Sequence, residues 1–312
     1  MPLKRSHALL VPLALGLAAR PALAQAPKDK LRVAMPTLDP TAEVFYGVDM
    51  GFFDKAGIEI EMVPLVNGAA IVAAVASGTI DIGVGNALTA EAAFKKGIPI
   101  TVIAPGAASE NSAPSNVLLV LKGSPLKTAA DLNGKVIGVS PLRAIGDVAT
   151  SAWIDKNGGD SSTVKYIEVP FPQAEAVLVQ GRADAAFCSE PFITQAKATT
   201  RIFANTFSAL GDGFLVTAFF AAKPWAQANA PVVARFAATI REIGAWANKN
   251  PDASADILAK YAKIDPAIVK ASVRSRFATT LTPGQLQPTI DASAKYKLLD
   301  AAFPAQDLIF HA

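Results

Sequence analysis

The sequence has few of the residues on which most hydrolases and metal proteins depend. It contains one cysteine, Cys188, and two histidines, His7 and His311, among 312 residues. A single cysteine forms no internal disulfide, and so few cysteines and histidines cannot build a zinc site from those ligands. A Ser-His-Asp or Cys-His arrangement would need His311, beside the C-terminus, to fold back into a cleft. These shortages argue against most hydrolases, although catalysis by a carboxylate or a lysine stays open, and we expect no metal and no cofactor.

Signatures of nucleotide binding are also missing. The chain has no Walker-type phosphate loop and no complete G-x-G-x-x-G sequence. The nearest approach, at residues 83–86, follows a predicted strand but lacks the third glycine. This absence argues against dehydrogenases that bind a dinucleotide.

The N-terminus carries the pattern of a secretory signal peptide. Lys4 and Arg5 precede a short apolar run at 8–19, and the Ala-Leu-Ala sequence at 22–24 supplies small residues at the positions that determine cleavage. The run is too short to span a bilayer. We therefore predict a signal peptide over residues 1–24, cleavage near Ala24 and export to the periplasm, with a retained N-terminal anchor as the alternative.

Charge of one sign is not in excess once this segment is removed. Residues 1–24 hold three basic residues and no acidic one, so the remaining 288 residues carry 26 of each and a formal net charge of zero. No basic field remains to attract nucleic acid or an anionic membrane. We expect no nucleic-acid partner.

From Leu31 onward, short apolar strands alternate with helices, which predicts an α/β fold with mostly parallel sheets. Asp39 is predicted to cap the first helix, with Pro40 at its first position. The predicted strands are 31–35, 58–64, 80–84, 100–104, 116–122, 136–139, 164–169, 185–188 and 214–221. The predicted helices are 40–55, 69–77, 88–96, 146–157, 173–180, 226–248, 253–262, 267–274 and 287–299.

Two stretches of the chain repeat each other. Gly78 and Asp81 in the first stretch correspond to Gly181 and Asp184 in the second, with an offset of 103 positions in both cases. Each stretch contains an apolar helix, a glycine that ends it and a buried strand, which together form half of a parallel βα unit. The repeat predicts two similar lobes with a ligand cleft between them, although any α/β protein can reuse Gly-x-x-Asp at such corners.

The chain is predicted to cross between the lobes twice. Small and polar residues at 107–115 indicate the first crossover, and Gly-Asp-Gly at 211–213 indicates the return. We therefore assign 25–115 to lobe 1, 116–213 to lobe 2 and 214–312 to lobe 1 again. The helices near the C-terminus are expected to pack on the outside of lobe 1.

The loops that follow the carboxyl ends of strands are the candidate site, because open α/β sheets bind ligands there. Most of these loops lead straight into helices, whose free N–H groups and positive dipole end suit an anion. Plain N-capping is the alternative explanation for the Asn, Ser and Asp residues at these places. The candidate ligand-binding residues in the loops are Thr37, Asp39, Asn67, Gly68, Asn86, Ser140, Arg143 and Glu190.

Two charged candidates indicate different ligand classes. Arg143 could hold a carboxylate or sulfonate by two parallel hydrogen bonds, or it could be a solvated surface arginine. Glu190 could accept a hydrogen bond from an amine or aminopyrimidine, with Phe45 or Phe192 as the nearby ring, or it could cap a helix. An enzyme on the same fold that uses Asp39 or Glu190 as a base is the alternative from another functional class.

Several longer segments are similar to one known family. They are residues 124–139 (SPLKTAADLNGKVIGV), the opening at 51–60 (GFFDKAGIEI), the paired corners at 77–83 and 181–191, and 248–253 (NKNPDA). These segments resemble ABC-transporter substrate-binding proteins of the nitrate/sulfonate/taurine type, a group that also includes binders of thiamine pyrimidine precursors. The resemblance covers nearly the whole chain after the predicted signal peptide.

The resemblance implies a periplasmic protein with the two-lobed type II binding-protein fold and two crossover strands. It implies that the lobes close on a small-molecule ligand and that the closed form docks on an inner-membrane ABC permease with its ATPase. In this family, Asn86, Ser140 and Glu190 lie in loops that line the cleft. The cysteine-rich motif and the histidine of the similar yeast pyrimidine synthases are absent. We therefore expect a monomeric, non-enzymatic binder of a small organic anion such as a sulfonate, or, as second choice, of a pyrimidine or other heteroaromatic.

Overall fold

The computed structural model describes residues 28–311, so the predicted signal peptide lies outside the described residues. The strands are β1 (Asp29–Met35), β2 (Ile58–Pro64), β3 (Ile82–Asn86), β4 (Ile100–Pro105), β5 (Ala107–Ala108), β6 (Asn116–Leu121), β7 (Val136–Val139), β8 (Lys165–Glu168), β9 (Ala185–Ser189), β10 (Thr200–Ala204), β11 (Thr217–Ala222) and β12 (Arg276–Phe277). The helices are α1 (Glu43–Asp49), α2 (Phe52–Lys55), α3 (Gly68–Ala76), α4 (Ala87–Lys95), α5 (Ile145–Lys156), α6 (Ala174–Val179), α7 (Phe192–Gln195), α8 (Lys223–Ala228), α9 (Ala230–Lys249), α10 (Pro251–Ala262), α11 (Pro266–Ala271) and α12 (Pro283–Lys295). None of these helices is long and apolar enough to cross a membrane.

Two five-stranded sheets form the centres of the two lobes, which confirms the predicted two-lobed α/β fold. The first sheet has the order β2-β1-β3-β11-β4, and the second has the order β10-β6-β9-β7-β8. In the first sheet, β11 is antiparallel to both of its neighbours, while β1 pairs in parallel with β2 and β3. In the second sheet, β6 is antiparallel to both of its neighbours, while β7 pairs in parallel with β8 and β9. Each sheet therefore has one opposed strand, and that strand immediately follows a crossover in the chain.

The two crossover segments, 106–115 and 205–216, are hydrogen-bonded to each other. The backbone N–H of Ser109 donates to the Phe214 carbonyl at 2.8 Å, and the Ser109 carbonyl accepts from the backbone N–H of Gly213 at 3.1 Å. The two passages between the sheets thus form one paired ribbon, rather than two independent linkers.

The repeated Gly-x-x-Asp corners have the same structural role in both lobes. Asp81 accepts from the backbone N–H of Arg32 at 2.8 Å, and its own N–H donates to the Arg32 carbonyl at 3.1 Å. Asp184 accepts from the backbone N–H of Val136 at 2.9 Å, and its own N–H donates to the Val136 carbonyl at 2.8 Å. Both aspartates precede their strands, so they lie at the edge of the sheet opposite the carboxyl ends. The repeat therefore joins neighbouring parallel strands and does not contribute ligand-binding side chains.

The sequence predicted that the C-terminal helices pack on the outside of lobe 1, and for α12 this prediction is wrong. α12 contacts α4 in lobe 1 and α5 in lobe 2. Leu286 and Ile290 of α12 are buried in the lobe 1 core, whereas Ala292 and the adjacent Tyr296 pack against the lobe 2 core. The Tyr296 hydroxyl also donates to Asp155, in α5, at 2.9 Å. Because α12 is apolar on two sides, it is buried between the lobes rather than on one of them.

Several other predicted elements also differ from the structure. The helix predicted over 226–248 divides into α8 and α9, and the helix predicted over 287–299 is α12, which begins and ends four residues earlier. The helix predicted over 40–55 divides into a 3-10 turn (Asp39–Thr41), α1 and α2, with Gly51 at φ +70° between the two helices. The helix predicted over 267–274 ends at Ala271. β10, which pairs with β6 at the edge of the second sheet, was not predicted.

Substitution of Asp184 by alanine tests the structural role of the repeat. The backbone N–H of Val136 would lose its side-chain acceptor, so we expect Asp184→Ala to lower the free energy of unfolding by about 1 kcal/mol. Asp300→Ala is the matched control, because Asp300 is exposed and makes no hydrogen bond with the described residues. Urea unfolding of both variants measures the difference, and equal midpoints for the two would contradict the assignment.

Candidate functional site

The carboxyl ends of the parallel strands in both sheets lead into loops beside the crossover ribbon, and the space between these loops is the candidate ligand cleft. In lobe 1 these ends lead into residues 36–39, 65–67 and Asn86, and in lobe 2 they lead into residues 140–144 and Glu190. The first crossover leaves the carboxyl end of β4 and enters β6 at Asn116, which pairs with Ser189 at the carboxyl end of β9. The two carboxyl edges therefore face each other, which is the usual ligand position in open α/β sheets.

The prediction that Asp39 caps a helix is wrong, because its side chain binds an arginine that is distant in the sequence. The carboxylate accepts from Arg274 Nε at 3.0 Å and Nη2 at 2.5 Å, and from the backbone N–H of Ser275 at 2.6 Å. Asp39 is 2% exposed, and the same guanidinium donates to the Tyr46 hydroxyl at 2.6 Å. Burial alone would lower the pKa of Arg274, but the Asp39 carboxylate and the Tyr46 hydroxyl together more than offset this, so the pKa is raised. The Asp39 carboxylate is therefore committed to an internal ion pair.

Glu190 is also bonded within the protein. Its carboxylate accepts from the backbone N–H of Thr194 at 3.0 Å and from the Thr194 hydroxyl at 3.1 Å, which is a helix-capping arrangement. It also accepts from the backbone N–H of Val273 at 3.4 Å, and this bond joins lobe 2 to the segment that carries Arg274. Burial, and to a smaller extent the nearby negative charge of Asp39, raise the pKa of Glu190. The structure thus brings Asp39 and Glu190, from opposite lobes, to one corner of the cleft.

The polar residues at the starts of α3 and α4 act mainly as N-caps. Asn67 accepts from the backbone N–H groups of Ala69 and Ala70 at 2.9 and 3.2 Å. Asn86 accepts from the backbone N–H of Leu88 at 3.0 Å. These side-chain oxygens accept hydrogen bonds from some of the backbone N–H groups that a bound anion would otherwise use. Gly68 lies close to Thr89, because a Cβ atom at Gly68 would be 3.2 Å from the Thr89 side chain.

Arg143 lies in the loop before α5 and is exposed, with φ at +57°. Its backbone N–H and that of Ala144 both donate to Asp147 at 2.8 Å. Burial raises the pKa of Asp147, although these N–H bonds oppose the shift. The guanidinium of Arg143 forms no ion pair with the residues that the structure describes. A left-handed conformation is uncommon for a residue other than glycine, and here the Asp147 carboxylate supports it.

The remaining candidates divide between the cleft and the core. Thr37 and Ser140 are half-buried at the carboxyl ends of β1 and β7. Phe192 is also half-buried and packs against the core under β9. Phe45 lies instead in the lobe 1 core at 3% exposure, with its ring stacked on Tyr261 at 4.6 Å between centroids. Phe45 is therefore not part of the cleft surface.

Cysteine and metal chemistry have no visible basis among the described residues. Cys188 is fully buried in β9, and burial raises the pKa of its thiol to about 12. A thiol with that pKa stays protonated near neutral pH and is a poor nucleophile. Within residues 28–311, no group of three or more His, Cys, Asp or Glu side chains is arranged to hold a metal ion.

The ion pair between Arg274 and Asp39 was not predicted from the sequence. The predicted helix over 267–274 placed it on a surface helix, whereas the helix ends three residues earlier and Arg274 turns toward Asp39. No local pattern links the two residues, because they are 235 positions apart in the chain. A single sequence carries no signal for such a pair.

Removal of Arg274 tests whether this corner depends on the ion pair. Arg274→Met leaves Asp39 buried without its partner, so we expect a loss of about 3–5 kcal/mol in the free energy of unfolding. Adding Asp39→Asn to the variant should recover part of this loss, because the buried charge is then gone. Arg235→Met is the control, since Arg235 and its partner Asp29 are both about half exposed, and such pairs contribute about 0–1 kcal/mol. Urea unfolding in which Arg274→Met loses no more than the control would contradict the prediction.

A further buried carboxyl, Glu91 in α4, gives the protein a specific pH dependence. It is 0% exposed and accepts from the Thr289 hydroxyl at 2.6 Å, and burial raises its pKa to about 8. The unfolded chain has the ordinary value of about 4.3, so the folded state binds the extra proton between these two pKa values. Its contribution to stability therefore falls as the pH rises through that range.

Glu91→Gln should remove this contribution. For one proton the slope is about 1.4 kcal/mol per pH unit, so we expect the variant to lose less stability than the wild type between about pH 6 and about pH 7.5. Urea unfolding at both pH values gives the comparison, and other buried acids such as Glu43 affect both proteins equally. Identical pH dependence of the two proteins would show that Glu91 is ionised in the folded state.

Comparison with known proteins connects this chain to one family. A Brucella abortus (strain 2308) protein named as a binding protein is 27% identical over 233 residues, which are 73% of this chain and 69% of the relative. The formylaminopyrimidine-binding protein of Halalkalibacterium halodurans is 25% identical over 142 residues, which are 46% of this chain and 41% of the relative. The periplasmic aliphatic sulphonate binding protein SsuA of Escherichia coli has the same fold, with a TM-score of 0.75 at 19% identity over 91% of this chain and 92% of SsuA. The family model described as NMT1/THI5 like matches residues 41–254. Since this match includes more than half of the residues, the chain belongs to the NMT1/THI5-like family.

Proposed function

We propose that this protein is the periplasmic solute-binding component of an ABC importer, and that it captures a small organic anion in the cleft between its lobes. The relatives named as binding proteins support a binding role, and the sulphonate-binding neighbour has the same two-lobed fold. The signal-peptide pattern of residues 1–24 supports the periplasmic location. The partner that receives the ligand is an inner-membrane permease with its ATPase.

The observation that carries the choice of an anion is the position of Arg143. Arg143 lies two residues before the first residue of α5, and its exposed guanidinium has no carboxylate partner among the described residues. The backbone N–H groups of Ile145 and Gly146 in the first turn of α5 donate to none of the described residues. A guanidinium and free helix N-terminal N–H groups together stabilise a bound carboxylate or sulfonate. The negative charge of Asp147 in the same turn repels an anion, so Arg143 has to provide most of the electrostatic attraction.

Closure of the lobes supplies the transport signal in this proposal. Polar groups that can reach a ligand lie on both carboxyl edges, with Thr37 in lobe 1 and Ser140 and Arg143 in lobe 2. A ligand contacts both edges only when the lobes are closed, so binding shifts the population toward the closed form. The permease then distinguishes loaded from empty protein by its shape.

A heteroaromatic ligand is the second candidate. The specific observation in its favour is the relative named for binding formylaminopyrimidine, together with the half-buried ring of Phe192 next to Glu190. Against it, the Glu190 carboxylate already accepts three hydrogen bonds from the protein. An aminopyrimidine would have to displace or share these bonds.

An enzymatic role on the same fold is less well supported. The two candidate bases, Asp39 and Glu190, are 2% and 4% exposed and are bonded to protein donors. A general base has to reach the proton that it removes. We therefore propose that bound compounds leave the protein unchanged, and recovery of a converted compound would contradict this.

The ligand-binding role of Arg143 can be tested with a matched pair of variants. Native mass spectrometry of the protein from its own periplasm identifies a retained compound, and a thermal-shift panel of sulfonates, carboxylates and pyrimidines supplies one if none is retained. By calorimetry, Arg143→Ala should weaken binding of an anionic ligand at least tenfold, or about 1.4 kcal/mol. Arg182→Ala is the control, because Arg182 is an exposed arginine at the opposite edge of the lobe 2 sheet.

The outcomes separate the two ligand classes. Loss of affinity in Arg143→Ala with unchanged affinity in Arg182→Ala supports the anion proposal. A pyrimidine ligand whose affinity is unchanged in Arg143→Ala supports the second candidate instead. Equal affinity of both variants and the wild type for an anion would show that Arg143 does not bind it.

A further inference from the structure

Three buried side-chain oxygens in the crossover segments have no hydrogen-bond partner within the described part of the chain. They are Ser109 Oγ, Asn205 Oδ1 and Thr206 Oγ1. Ser109 is 6% exposed and Thr206 is 0% exposed. Native proteins provide a partner for the large majority of buried polar side-chain atoms, because leaving one without a partner is costly. Three such atoms on one short ribbon therefore point to a bound group.

The hydrogen bonds around Asn205 show that this group must be a donor. Asn111 Nδ2 donates to the carbonyl of Gly211 at 3.1 Å, and a carbonyl can only accept. The orientation of the Asn111 amide is thereby determined, and its Oδ1 accepts from Asn205 Nδ2 at 3.1 Å. The remaining atom of the Asn205 amide is its oxygen, which can only accept. A second carbonyl or a carboxylate would not satisfy it.

The three oxygens come from both crossover segments. Ser109 lies two residues before Asn111 in the first crossover, and Thr206 follows Asn205 in the second. The hydroxyls can donate as well as accept. The two carboxylates of this ribbon are already bonded: Asp212 accepts from the backbone N–H of Asn111 at 2.9 Å, and Glu110 accepts from the Ser112 hydroxyl at 3.2 Å. A small neutral group that both donates and accepts fits this set of partners.

We propose that ordered water binds to Asn205 Oδ1 and to the hydroxyls of Ser109 and Thr206, and that it links the two crossover segments. Buried water typically makes two to four hydrogen bonds to polar groups that lack other partners. Water-mediated bonds are nearly as favourable as direct ones, so such water completes the bonding of the ribbon. The consequence for lobe closure rests on the proposed function: when the ribbon bends, bonds to water can be remade, whereas direct bonds would be strained.

Thr206→Val tests the proposal through the direction of its effect on stability. If water binds the hydroxyl, valine removes those bonds and the urea midpoint falls. If the hydroxyl has no partner, valine removes an unfavourable buried polar group without breaking any hydrogen bond, and the urea midpoint rises. Thr200→Val is the control for loss of a satisfied hydroxyl, since Thr200 is 4% exposed and its hydroxyl donates to the Ala196 carbonyl at 2.8 Å.

A fall in the midpoint of Thr206→Val comparable with that of Thr200→Val supports the proposal, and a rise overturns it. Ser109→Ala provides a second variant, for which we likewise expect a fall in the urea midpoint.

A crystal structure of the exported protein gives the direct observation, with compact solvent density about 2.7–3.2 Å from Asn205 Oδ1 as the expected result. Density of a larger solute beside Asn205 Oδ1 would overturn the proposal, and so would well-ordered side chains with no solvent density beside them. None of these measurements needs the transported ligand, so failure here and failure of the proposed function are distinguishable.

Discussion

The pairing of the two crossover segments is the constraint on which the arrangement of this protein depends. The backbone bonds between Ser109 and residues 213–214 hold the two passages side by side. Each passage then enters the opposite sheet as its single antiparallel strand, β6 or β11. The carboxyl ends of all the parallel strands are consequently directed at one cleft. If the two segments were independent linkers, only the contacts made by the C-terminal part of the chain, such as Tyr296 to Asp155 and Val273 to Glu190, would hold the two carboxyl edges in position.

Around this cleft the protein satisfies most of its own polar groups. Asn67 and Asn86 cap helices, Asp39 binds Arg274, and Glu190 caps the turn at Thr194. The bond from Val273 to Glu190 and the bond from Tyr296 to Asp155 also join the lobes through the C-terminal segment. Relative motion of the lobes therefore has to rearrange these contacts as well as bend the crossover ribbon. α12, which the sequence placed with the other C-terminal helices on the outside of lobe 1, is part of this connection between the lobes.

The sequence predicted the fold well because the signals for the fold are local. Apolar runs, glycines at helix ends and the Gly-x-x-Asp corners depend on neighbouring residues, and the structure has each of them near the predicted place. The site was less predictable, because tertiary contacts override local preferences there. Asp39 has the local signal of an N-cap, but a charged guanidinium from Arg274 is a stronger partner than the N–H of a helix. No local sequence pattern indicates what Phe45 packs against, because its ring stacks on Tyr261, which lies far along the chain.

If the proposed function is correct, the charges of the candidate site favour one kind of ligand. Arg274 is paired with Asp39, so among the described candidate residues Arg143 has the unpaired positive charge, with Asp147 close to its backbone. A divalent anion would bring more negative charge than one partly offset guanidinium can neutralise, and uncompensated charge in a closing cleft is costly. The edges of the cleft also carry exposed apolar side chains, Val66 in lobe 1 and Leu142 in lobe 2, at 91% and 39% exposure. A single anionic group attached to an apolar body matches both features, which is why we favour an organic anion over an inorganic one.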